Sequence, residues 1–145
     1  MAKALVWKLV FTVGVPLFAV HLAASFYSWY WIVPWFDKIM HFWGGVLAAL
    51  LFYLFLGKTA GSPEFKGNFP QSLVLIASFS ALVGVGWEWF EYYYDIFFNA
   101  SKMIYSAGIL ADTLGDLFLD IGGGLSLAAT VKVIYNYREK TALKK

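Results

Sequence analysis

The chain contains no cysteine among its 145 residues. That excludes disulfides, thiolate zinc sites, iron–sulfur clusters and thiol nucleophiles. Charge is also scarce: Asp, Glu, Lys and Arg together make up 14% of the chain, against ~25% in soluble domains. The net charge of +2 is small, and no basic patch is interleaved with aromatics, so nucleic acid is not an expected partner. Histidine occurs twice, at His21 and His41. There is no internal repeat and no low-complexity stretch. What fills the chain is apolar surface: 61% hydrophobic residues, where ~45–50% is usual. Seven Trp, nine Tyr and fourteen Phe exceed what a soluble core of this size needs, and Trp and Tyr settle at membrane interfaces. The composition reads as an integral membrane protein of one domain.

Hydropathy divides the chain into four segments, about 4–31, 36–56, 71–98 and 106–137, each with the ~20 residues needed to cross the hydrocarbon. The fold class expected is an all-α integral membrane protein, a four-transmembrane-helix antiparallel bundle. The first segment has a basic start, an apolar run and a small-residue Ala23-Ala24-Ser25 exit, the form of a signal peptide; a retained helix is expected, with a kink at Pro16. Gly57 to Pro70 reads as the one polar loop, Asn99 to Lys102 as a short connection, and 138–145 as a basic tail. With four spans, Lys3, Lys8, Lys58, Lys66, Lys132, Arg138, Lys140, Lys144 and Lys145 share one side, leaving Lys38 and Lys102 on the other. By the positive-inside rule the loop at 57–70 and both termini are cytoplasmic.

The acids show the opposite bias. Only Glu64 and Glu139 lie on the basic side. Asp37, Glu88, Glu91, Asp95, Asp112, Asp116 and Asp120 fall at the outer ends of their helices. Three segments repeat one device: Asp37 and His41 at i, i+4; Glu88, Glu91 and Asp95 at i, i+3, i+7; and Asp112, Asp116 and Asp120 at i, i+4, i+8. Each set occupies one helical face, so antiparallel neighbours can aim all three at one volume. Asp112 to Asp120 covers ~12 Å of helix, which carries Asp120 toward the midplane. Gly44, Gly45, Gly84, Gly86, Gly115 and Gly122 to Gly124 lie among them and permit close helix approach.

An acid at mid-bilayer costs ~2.5–3.5 kcal/mol even on the lenient insertion scale. Five would exceed ~10 kcal/mol, comparable with the whole stability of a small domain. Lys38 and Lys102, at the rim, are expected to leave the acids un-neutralised. Three solutions remain: bound divalent cations, carboxylates kept protonated by burial and repulsion, or a water-filled cavity. Oxygen-rich ligation with one imidazole suits Mg²⁺, Mn²⁺, Ca²⁺, Fe²⁺ or Zn²⁺. The candidate metal ligands are Asp37, His41, Glu88, Glu91, Asp112, Asp116 and Asp120. His41 and Glu91 are the candidate general acid and base, and Lys38 the candidate contact for a substrate phosphate. Blander roles are weighed beside these. His21 reads as hydrogen-bonded packing, Asp37 and Asp95 could be interfacial or capping, and the Trp87 to Tyr94 aromatics read as an interface belt. Asp120 has no acid certain to reach it.

Three blocks carry a resemblance: Phe36-Asp37-Lys38-Ile39-Met40-His41-Phe42, Trp87-Glu88-Trp89-Phe90-Glu91-Tyr92 and Asp112-Thr113-Leu114-Gly115-Asp116-Leu117-Phe118. In order and spacing they resemble the YjdF-type bacterial inner-membrane proteins and, more loosely, the VanZ-like group, over segments two to four. The resemblance implies functional polar positions at Asp37, His41, Glu88, Glu91, Asp112 and Asp116, does not include Asp120, and implies no particular activity. Three functions therefore compete. One is a metal-dependent hydrolase or transferase acting on a lipid or lipid-linked phosphate, with membrane lipids as partners. The second is an ion or proton transporter using the acids as a relay. The third is a structural protein with protonated, helix-linking acids. A di-iron site lacks its paired Glu-x-x-His motifs, and a haem between His21 and His41 is a remote option.

Overall fold

The computed structural model describes residues 3–55, 69–98 and 108–143. These form α1 (Lys3–Phe26), α2 (Trp29–Ile32), α3 (Phe36–Phe55), α4 (Phe69–Phe98) and α5 (Ile109–Ala142). The four long helices are each apolar and long enough to cross a membrane. Most of the polar loop, 57–68, lies outside the described residues. So do the 99–102 connection, residues 106–107, and Lys144 and Lys145 at the end of the tail.

Two boundaries differ from expectation for physical reasons. The first segment does not run unbroken to Trp31. It stops at Phe26, and Ser28 takes a left-handed conformation with φ of 59°, which non-glycine residues adopt only at a turn. The chain then starts the short α2, whose Tyr30 packs edge-on against Phe36. At the other end, α5 does not give way to a tail at 138 but continues to Ala142, with Lys140 in its last turn, where a cation meets the negative end of the helix dipole. α4 starts at Phe69, so Pro70 sits in its first turn, where the missing N–H has no intrahelical partner to lose. Pro16 lies inside α1, and the helix runs through it.

α3 is the centre of the bundle. Its widest packing is against α5, and it also meets α4 and α1; α4 packs on α5, whereas α1 makes backbone-level contacts with α3 and α2 only. Burial follows the helical period. On α4 the buried stripe is Ser72, Ile76, Ser80, Gly84 and Glu88, one residue per turn, and on α5 it includes Asp116, Asp120, Gly124 and Ala128. Toward the basic end, these stripes form an apolar core of Val6, Ala49, Phe52, Tyr53, Ile76, Ala128 and Val131. Toward the other end the same stripes turn acidic. The opposite faces carry Phe11, Phe18, Leu82, Phe118 and Val133, all exposed, as lipid-facing side chains are. Lipid is as apolar as these residues, so close packing and not water exclusion holds the helices together.

Glycine supplies that closeness at the α3–α5 crossing. A Cβ at Gly45 would run into the Asp120 backbone carbonyl, and one at Gly123 into the Phe42 carbonyl. Gly84 and Gly124 leave room for the Asp120 carboxylate and the Ser80 hydroxyl respectively. Gly86 and Gly122 face open space, so their expected packing role is not met.

Candidate functional site

Asp37 and His41 stand in the first turns of α3, Glu88 and Glu91 in the last third of α4, and Asp112, Asp116 and Asp120 in the first third of α5. Antiparallel packing puts these ends together, and the centre that results is His41. Its side chain is 2% exposed, and its two ring nitrogens face different partners. Nδ1 lies 3.2 Å from Asp120 Oδ2. Nε2 faces Glu88 Oε1 at 3.7 Å, and Asp37 Oδ1 and Asp116 Oδ1 at 4.0 Å each. An ionised carboxylate can only accept, so Nδ1–H donates to Asp120, and Nε2 is the nitrogen turned to the other acids.

Asp120 is thus tied into the centre, although no sequence neighbour promised it a partner. It is buried, as are Asp37, Glu88 and Asp116. Glu88 is positioned by a residue that residue-by-residue reading of the acids passes over: Thr113 Oγ1 donates to Glu88 Oε2 at 2.7 Å. The only sequence signal for Thr113 is its place between two aspartates of the same block. Its donation leaves Glu88 Oε1 buried with no hydrogen-bond partner, and His41 Nε2 is in the same condition. Two buried polar atoms, 3.7 Å apart and each without a hydrogen-bond partner among the described residues, are costly to leave so.

Lys38 corrects the expectation that the rim lysines leave the acids un-neutralised. Its Nζ lies 2.6 Å from Asp112 Oδ1 and 2.7 Å from Asp116 Oδ1. The lysine side chain is one third exposed and Asp112 half exposed, while Asp116 is buried. Lys38 therefore closes the outer end of the cluster, and a phosphate arriving there has two carboxylates to compete with. Asp112 is the outermost candidate and Asp95, although buried, belongs to none of the His/acid groups found among the described residues.

Those groups are three overlapping triads: Asp37, His41 and Glu91; His41, Glu88 and Asp116; and Asp37, Asp112 and Asp116. Within each, one donor atom per residue lies within 4.8 Å of the others. Donors ~2.0–2.2 Å from one cation lie roughly 3–4 Å from each other, so the spacing suits a shared divalent ion. The His41, Glu88 and Asp116 triad is the one in which all three members are buried, and it contains both unpartnered atoms.

On the far side of His41 the wall changes character. His21 lies 2.7 Å from the Tyr30 hydroxyl through Nδ1 and stacks edge-on to Trp87, in keeping with its reading as hydrogen-bonded packing. Burial, and then the negative charge of Asp37 and Glu91, push the Tyr30 phenol well above its ordinary pKa, so it stays protonated. Trp89, Tyr92, Tyr93 and Tyr94 are exposed on α4, as an interface belt requires.

Fold and site together define a small four-helix membrane protein with a buried carboxylate–histidine centre. A family model described as "Predicted membrane protein (DUF2238)" matches residues 4–137. The chain belongs to this family, and the match takes in all four spans where the sequence resemblance covered only the last three. No curated protein and no solved structure matches the chain.

Proposed function

We propose that His41, Glu88 and Asp116 hold a divalent metal ion and that the protein uses it as a hydrolase or transferase on a lipid or lipid-linked phosphate. The observation that carries this reading is the pair of buried, unpartnered atoms, His41 Nε2 and Glu88 Oε1, beside the Asp116 carboxylate. A cation there would satisfy both atoms and offset the charge of the acids. Asp120 on Nδ1 would be the outer partner that orients a ligating imidazole. The metal would supply Lewis-acid polarisation of a phosphoryl oxygen. Because the Nε2 lone pair is then engaged, the acid–base role falls to Glu91 and not to His41. Glu91 is half-buried and shares a triad with Asp37 and His41. In hydrolysis the water oxygen bonds to phosphorus and the phosphorus–oxygen bond to the lipid breaks. Glu91 takes the water proton and returns it to the leaving oxygen. In a transferase an alcohol replaces the water. Both termini are read as cytoplasmic from the lysine and arginine bias, and the prokaryotic inner membrane from the likeness to YjdF-type proteins.

The transport alternative needs a polar route through the basic half, where the buried hydroxyls among the described residues are only Ser72, Ser80 and Tyr53, set among the apolar side chains of the core. Thr12, Ser126 and Thr130 are exposed and donate to carbonyls of their own helices, and Ser78 faces outward. The test is phosphate release from phosphatidic acid or a polyprenyl phosphate by the purified protein, run beside cation and proton flux in liposomes. Metal-dependent phosphate release that Glu91→Gln abolishes is expected. Ion flux without phosphate release would overturn the enzymatic reading in favour of transport.

A further inference from the structure

A cavity of about 220 Å³ lies between α1, α3 and α4, directly beneath the His41 centre. It exceeds the ~150 Å³ apolar cavities that admit benzene. Its polar groups are gathered at one end: Asp37, His41 and Asp120, with His21 and Tyr30 beside them. The rest of the wall is apolar, including Leu17, Leu47, Ala48, Leu51 and Val83. From His41 to Leu51 the α3 wall runs ~15 Å, about the depth of one leaflet of a ~30 Å hydrocarbon core.

The cavity also has a side entrance. α1 makes no backbone-level contact with α4; Trp87 stacks edge-on to His21 across the gap, and one turn nearer the basic end two wall residues are open to the outside, Phe18 being 64% exposed and Val83 40%. In a membrane-spanning bundle, what lies outside such a gap is lipid. An apolar slot, one leaflet deep and open to the bilayer, whose polar end meets a carboxylate–histidine centre, has the polarity of a single lipid molecule. We infer that this slot takes one alkyl chain of a membrane lipid from the side and presents its phosphate end to the His41 centre. The inference deepens the lipid-phosphate reading and rests on it for the headgroup chemistry. It also gives α1, the helix least packed into the bundle, a purpose as the outer wall of the slot.

Photolabelling tests it. The protein is placed in nanodiscs of phosphatidylglycerol carrying a diazirine in one acyl chain, and adducts are mapped by mass spectrometry, with metal content measured on the same samples. Adducts concentrated on Leu17, Leu47 and Leu51 are expected, falling at least fivefold in Ala48→Phe, which fills the slot, while adducts on the outward-facing Phe118 and Val133 are unchanged. Leu17→Trp fills the same space from the peripheral helix and serves if Ala48→Phe does not fold. Labelling confined to outward-facing side chains, or slot labelling that neither variant reduces, would overturn the inference. A slot that is labelled in protein devoid of metal would overturn the metal reading alone and sustain the slot; metal without slot labelling would do the reverse.

Discussion

At the scale of single residues, His41 divides its labour between two nitrogens, and substitutions around it should separate. His41→Ala removes the one nitrogen donor of the triad, and bound metal should fall to background. Asp120→Asn keeps a hydrogen-bonding oxygen near Nδ1 but loses the charge that orients and polarises the ring, for which a 10–100-fold loss of metal affinity is expected. Lys38→Met should act in the opposite direction. It withdraws the cation that now lies 2.7 Å from Asp116 Oδ1, so a divalent ion would meet less competition and bind several-fold more tightly. Competition titration against a fluorescent chelator reads all three, and weaker binding in Lys38→Met would contradict the neutralising role given to that lysine. Thr113 and Asp120 show what the sequence could not convey at this scale. A periodic stripe states which face a carboxylate occupies, but the donor that orients Glu88 comes from another helix, and which acid reaches Nδ1 depends on the register between α3 and α5.

At the scale of elements, that register is set by glycine. A side chain at Gly45 would meet the Asp120 backbone, so Gly45→Leu must push α3 and α5 apart. Overpacking of this kind costs ~1–3 kcal/mol and occasionally more, and it should also disperse the site. Gly86→Leu, on the same reasoning, faces open space and should not lower thermal stability in detergent, its better helix propensity adding up to ~1 kcal/mol. Equal destabilisation by the two would refute the crossing described. The four spans and the common end for the acids were readable because hydropathy and a period near four are local properties. The end of α1 was not: Tyr27 to Trp31 carries no Gly, Pro or charge to stop a helix, and the turn rests on one serine held at positive φ. Nor was the helical continuation of α5 through its charged end, which the composition of 138–145 alone describes as a tail.

At the scale of the whole molecule, charge is sorted along the bundle. Lys132, Arg138 and Lys140 stand at one end of α5 and Asp112 to Asp120 at the other, and the apolar core lies toward the basic end. If the lysine and arginine bias governs insertion, tags on both termini should be protected from externally added protease in intact cells. A cysteine introduced at Trp35, at the exposed start of α3, should react with an impermeant maleimide from outside. Reversed accessibility would overturn the orientation and, with it, the assignment of the site to the outer leaflet.

A cation held among the buried acids is what lets them coexist in the membrane on the reading proposed above. Elemental analysis of protein purified without chelator tests it most directly, comparing wild type with His41→Ala and Asp116→Asn. At least one divalent metal per wild-type chain is expected, with the two variants reduced to background while remaining folded. Folded wild-type protein that carries no metal, and gains none when offered Mg²⁺, Mn²⁺, Ca²⁺, Fe²⁺ or Zn²⁺, would contradict it.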